Sequence, residues 1–292
     1  MLFRNHVLKH IRLALLIMSI SGILGCAHTG QSFNSGLAGE NLTLEELELS
    51  GDMALSRQEY HVAFVRYDQA LSRSPDNLNL LYKTGMLFML TDMPQDAVSY
   101  LEKVVKADPS RSMAHYMLGL ALFRTNKAME ARDHLVLAVE HDPSLWQAYN
   151  LLGIILDNAH ESKKAAEYFR AAIALRPNRG ELHNNLGVAQ AMSGDREQAV
   201  QSFFMALRNG YDVPRVYNNL GLALAGLGRY DEALESFKSA GSSARAYNNL
   251  GTVHLQKGDA LMASRNFQKA IELDPRFYEM AHSNHGKASV SM

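Results

Sequence analysis

Carboxamides are the side chains whose spacing in this chain most invites a chemical reading. Asn184-Asn185, Asn218-Asn219 and Asn248-Asn249 occur as adjacent pairs, and Asn150 precedes them at the equivalent place. A carboxamide carries two N–H donors and an acceptor oxygen, so a column of them can bond to the backbone of an extended peptide whatever its side chains. The same column can instead bridge one segment of the chain to the next, with one Asn of each pair bonded and the other facing water. Catalytic patterns are missing from the sequence. The twelve histidines are scattered without a His-Glu-x-x-His spacing, and His282 and His285 read as a solvated face. There is no Gly-rich phosphate loop and no Gly-x-Ser-x-Gly elbow. The expectation is a binding protein with no catalytic residue, no metal and no cofactor.

The elements that position these residues are written as a repeat. Residues 217–221 and 247–251 both read YNNLG, with HNNLG at 183–187 and YNLLG at 149–153. The glycines Gly51, Gly85, Gly119, Gly153, Gly187, Gly221 and Gly251 stand thirty-four residues apart, except for a last step of thirty. Twelve residues behind them run Ala63, Ala97, Ala131, Ala165, Ala199, Ala233 and Ala263. Seven further on come Ala70, Val104, Ala138, Ala172, Ala206, Ala240 and Ala270, and between the two columns lie Tyr67, Leu101, Leu135, Phe169, Phe203, Phe237 and Phe267. Apolar and small residues recur at three- and four-residue spacing on either side of breaks such as residues 226–231 and 256–259, so each unit predicts a helical hairpin. Glycine in the first helix and alanine in the second mark a close approach of the two backbones, with the bulky residue filling the space beside it. Asp108-Pro109, Asp142-Pro143 and Asp274-Pro275 are expected to end the second helix and prime the next. The sixth unit lacks four residues, which places a shortened junction at Gly241–Ser243.

Composition agrees with an all-α chain. The 292 residues are 47% hydrophobic, enough for a substantial core, and a net charge of −1 without basic runs argues against nucleic acid as a partner. The one cysteine, Cys26, rules out a disulfide within the chain. It closes a segment in which Arg4, Lys9 and Arg12 precede the apolar stretch Leu13–Leu24, the layout of a secretory signal. An uncleaved signal anchor with an incidental cysteine is the alternative.

The unit Ala244–Phe277 carries, in order, the aromatic, Leu-Gly, Ala, Phe, Ala and Pro positions of the tetratricopeptide repeat, and the resemblance extends over Leu44–Phe277. It implies a right-handed α-solenoid of seven hairpins, at 44–77, 78–111, 112–145, 146–179, 180–213, 214–243 and 244–277, plus a capping helix and tail at 278–292. First helices would line the concave face. There the carboxamides are the candidate peptide contacts, while Tyr82, Met86, Met89, Tyr116, Leu120 and Phe123 form either an apolar groove or repeat packing. Ile23-Leu24-Gly25-Cys26 resembles a bacterial lipobox, which implies a signal peptide at 1–25, lipid on the Cys26 thiol and a flexible tether at 26–43. By that same resemblance Ala27, where inner-membrane lipoproteins carry Asp, implies the outer membrane, facing the periplasm.

Lipobox, tether and uninterrupted repeats together resemble the TadD lipoproteins of the tight-adherence (Flp) pilus systems. That resemblance implies a scaffold for the secretin and fibre, with secretin or pilus assembly components as partners. Other repeat-bearing lipoproteins imply an alternative, an adaptor for envelope proteases or peptidoglycan enzymes.

Overall fold

The computed structural model describes residues 42–275. The proposed signal segment, Cys26, most of the tether and the capping segment at 278–292 lie outside the described residues. The chain divides into two compact units, residues 1–46 and 47–292. In the first, Thr43 N–H donates to Glu46 Oε2 (2.7 Å) and Glu46 N–H to Thr43 Oγ1 (3.2 Å), a capping box that satisfies two donors a helix start leaves open.

The described residues form fourteen helices and no strand: α1 Leu44–Ser56, α2 Tyr60–Arg73, α3 Leu78–Leu90, α4 Pro94–Ala107, α5 Ser112–Arg124, α6 Ala128–His141, α7 Trp146–Asn158, α8 Ser162–Leu175, α9 Gly180–Ser193, α10 Arg196–Arg208, α11 Pro214–Gly226, α12 Tyr230–Ser239, α13 Ser243–Gln256 and α14 Ala260–Leu273. The all-α repeat architecture is as the periodicity predicts. From α3 on, consecutive helices pair as antiparallel hairpins, and each second helix also packs on the first helix of the next hairpin. First helices α3, α5, α7, α9, α11 and α13 touch one another in turn, whereas successive second helices make no comparable contact. The first helices therefore form the inner row of the stack.

The repeated columns are the core. All seven alanines from Ala63 to Ala263 are fully buried, as are Tyr67, Leu101, Leu135 and Phe267. Each bulky residue lies against the glycine of its own first helix: a Cβ on Gly187 would stand 2.7 Å from the Phe203 ring, and one on Gly221 2.5 Å from Phe237. This is the space-filling place expected of the bulky column. The side chain from the second helix occupies the space a Cβ would need, and at Gly119 the Ala131 backbone oxygen also lies 3.1 Å from that position. Tyr67, the one tyrosine in this column, has its hydroxyl satisfied by donating to Asp52 Oδ1 at 2.7 Å.

The Asp-Pro expectation holds in its first half. Asp108, Asp142 and Asp274 do cap α4, α6 and α14 in non-helical conformations, with ψ of 85°, 92° and 102°. Pro109 and Pro143, however, do not open the following helices, which start at Ser112 and Trp146. They sit in turns closed by the aspartates: Asp108 Oδ1 accepts from Ser110 N–H and hydroxyl, and Asp142 Oδ1 does the same with Ser144. The four missing residues of the sixth repeat come off α12, which has 10 residues where the other second helices have 13 or 14.

Candidate functional site

The carboxamide column lies along the inner row and is bonded to itself. Asn185 Nδ2 donates to Asn150 Oδ1 (3.0 Å), Asn219 Nδ2 to Asn184 Oδ1 (3.3 Å) and Asn249 Nδ2 to Asn218 Oδ1 (3.2 Å). Each bond runs from the second Asn of a pair back to the first Asn position of the preceding repeat. Asn184 Nδ2 also donates to Asn185 Oδ1 at 3.3 Å, so in the fifth repeat both members belong to one chain of bonds. Bridging is thus what the column does within the molecule, each bond worth about 0.5–1.5 kcal/mol. The same register is used at the start of the row by charge, where Lys83 Nζ donates to Glu48 Oε1 (2.7 Å) and Asp52 Oδ2 (2.6 Å). At the far end Asn248 is 7% exposed and its Oδ1 has no partner.

Carboxamide capacity remains after this bridging. Asn150, Asn185, Asn218, Asn219 and Asn249 are all partly exposed, and each uses only part of its bonding capacity in the bonds above. Beside them a cavity of about 440 Å³ opens between α9, α10, α11 and α13, lined by Val188, Met192, Arg196, Asn219, Leu222 and Gln256 among others. Met192 and Leu222 are 61% and 53% exposed, unusual values for large apolar side chains on an inner row. The composition of this face, apolar with carboxamides at its edge, matches what an extended peptide needs: pockets for alternate side chains and polar groups for its backbone.

Of the two readings of the apolar set in repeats two and three, the arrangement is that of repeat packing. Met89 is buried in the core, while Tyr82, Tyr116, Leu120 and Phe123 are partly buried and pack against that core, and Met86 is partly buried. The Arg111 guanidinium lies 4.7 Å from the Tyr82 ring centroid and covers it. Burial raises the phenol pKa of both Tyr82 and Tyr116. The exposed apolar surface of α9 and α11 is at Met192 and Leu222, beside the partly buried Val188, and the sequence reading passed it over. Its signal was present: Val188 and Leu222 directly follow the repeat glycines Gly187 and Gly221, the position Met86 and Leu120 hold in earlier repeats. Among the described residues no group of three or more His, Cys, Asp or Glu is arranged to hold a metal ion.

Solved structures with this architecture include a MamA protein, 30% identical, covering 55% of this chain and 94% of that one with a TM-score of 0.53. A tetratricopeptide repeat protein from Parabacteroides merdae ATCC 43184 is 14% identical over 84% of this chain and 98% of its own, with a TM-score of 0.58. YrrB, described as a TPR protein with an unusual peptide-binding site, is 22% identical over 63% and 96%, with a TM-score of 0.52. None of the curated proteins matches the chain. Tetratricopeptide repeat models match residues 91–145, 116–179, 150–204, 186–247 and 244–277, so more than half of its length is covered, and the chain belongs to the tetratricopeptide repeat family, a scaffold for protein–protein interaction.

Proposed function

We propose that this protein is a lipid-tethered scaffold that holds an extended segment of a protein partner on the inner face of repeats five to seven. The partner's apolar side chains enter the cavity at Met192 and Leu222, and its backbone bonds to the carboxamide hydrogens that the inter-repeat bridges leave over. The observation that carries this reading is the open apolar cavity beside the carboxamide row. Support for the tether comes from the lipobox-like Ile23-Leu24-Gly25-Cys26, with lipid on Cys26 and an outer-membrane location facing the periplasm. The resemblance to TadD lipoproteins makes the partner a secretin or another component of a tight-adherence (Flp) pilus, whose assembly the scaffold would support.

Co-purification from detergent-solubilised membranes tests this, comparing the intact protein with a Met192→Asp/Leu222→Asp variant. Both side chains are exposed, so the variant should melt with the parent. Secretin or pilus components are expected with the intact protein and should fall by about tenfold in the variant, the equivalent of about 1.4 kcal/mol. Undiminished capture removes the cavity from the reading, and recovery of envelope proteases or peptidoglycan enzymes in place of pilus components replaces the pilus assignment with the adaptor one. Cys26→Ser is expected to leave the repeats folded and move the protein out of the membrane fraction. Unchanged fractionation and unchanged mass would remove the lipid.

A further inference from the structure

The third hairpin contains a contact between two histidines that neither the repeat pattern nor the binding face requires. His115, in α5, is 3% exposed, and its two ring nitrogens are both engaged. Nε2 lies 3.0 Å from Pro109 O in the junction before α5, and Nδ1 lies 3.1 Å from His134 Nδ1 in α6. A carbonyl oxygen only accepts, so the His115 proton is on Nε2 and its Nδ1 is bare. The second contact then requires the proton on His134 Nδ1, which donates to His115. The His141 ring, also in α6, lies 6.1 Å from that of His115, measured between centroids.

We propose that the His115–His134 pair is an acid-sensitive clasp joining α5 to α6 and to the preceding junction, which opens when both imidazoles are protonated. One added proton on the outer nitrogen of His134 leaves the shared bond in place. A second, on His115 Nδ1, sets two N–H groups and two positive charges against each other at 3.1 Å, and one ring must leave. His115 is buried and held by Pro109 O, so the ring that leaves is the half-exposed His134.

The surroundings bear on when this happens. Burial lowers the His115 pKa; the bond to Pro109 and the nearby Asp108 carboxylate work against this, and His141 adds to it. Burial lowers that of His134 too, followed by repulsion from His115, against the pull of Asp133 and Glu130 on α6 and Glu102 on α4. Both folded-state values therefore lie below the unfolded one of about 6.5. Stability from the clasp is complete above that pH and is lost as pH falls below it, because the unfolded chain then binds more protons. What is released is the contact of α6 with α5 at His134, while His115 keeps its bond to Pro109 O, and the clasp does not depend on what the inner face binds.

Amide hydrogen exchange on the full chain at about pH 7.5 and about pH 5, corrected for intrinsic rates, tests the clasp. Amides of α5 and α6 are expected to lose about tenfold in protection on acidification relative to those of α9 and α10. In His134→Gln the carboxamide can donate to His115 Nδ1 but takes up no proton, so this loss should disappear. Protection that stays level with α9 and α10 in the parent, or that drops equally in the variant, overturns the proposal. Should the variant fail to form the third hairpin, imidazole ¹⁵N shifts of the parent decide. They are expected to show a bare Nδ1 on His115 at neutral pH and N–H at both Nδ1 atoms in acid; rings that stay neutral at about pH 5 overturn it.

Discussion

Gly187 and Phe203 show what one column position is worth. Alanine at Gly187 would gain about 0.5–1 kcal/mol of helix propensity, yet its Cβ would meet the Phe203 ring at 2.7 Å. Overpacking of this kind typically costs about 1–3 kcal/mol. The ring is fixed because Phe203 is 1% exposed, so the clash should win. Gly187→Ala is expected to lower the denaturation midpoint by the equivalent of about 1–2 kcal/mol; a midpoint that rises instead would show that the ring yields. The glycine and bulky-residue columns were readable in the sequence because both recur at the repeat step. How closely each ring presses on its own repeat's glycine was not, since spacing along a chain gives no distances. The carboxamides have the same history: their pairing was visible, but that they bridge one repeat to the next took distances such as Asn185 Nδ2 to Asn150 Oδ1 at 3.0 Å.

Within each hairpin the turn between helices passes through a left-handed residue, and its identity changes along the chain. Repeats five to seven use Gly194, Gly228 and Gly258, whereas the first four hold the same conformation with Gln58, Asp92, Asn126 and His160 at φ of 61° to 65°. The later turns were legible from their glycines. The earlier ones carried no compositional mark, and only the thirty-four-residue step places them. A side chain in this region costs roughly 1–2 kcal/mol, less for Asn and Asp, which bond locally. His160 is exposed, so glycine there gives up no packing. After the entropy glycine loses on folding, about 0.5–1 kcal/mol, His160→Gly is expected to stabilise the chain by about 0.5–1 kcal/mol and Asn126→Gly by less. Thermal melting of the two variants against the parent checks the order; an equal or larger gain at Asn126 would mean that residue type does not set the strain.

A stack whose repeats bond mainly to their neighbours has a stability that is a sum of local terms, and its weakest term decides where it opens. Among repeats four to seven the sixth is that term. The step of thirty between Gly221 and Gly251 showed that four residues are missing, though not which element loses them. Ser242 Oγ accepts from Arg245 N–H at 3.3 Å and fixes the start of α13, so the shortening falls on α12, which ends at Ser239. Only Ala233, Ser236 and Phe237 of α12 are buried, as few as in α4 and α6, against five residues each in its neighbours α8, α10 and α14. Two buried side chains fewer, at roughly 1 kcal/mol or more each, correspond to a local opening that is about tenfold or more easier. Amides of α12 should therefore exchange at least about tenfold faster than those of α10 and α14, and inserting four helix-forming residues after Ser239, restoring the thirty-four-residue step, should bring them level. If α12 is already as protected as α10, the bonds that cross the shortened repeat, Asn249 to Asn218 and Lys257 Nζ to Ala225 O at 2.5 Å, make up for the missing turn, and the stack opens elsewhere.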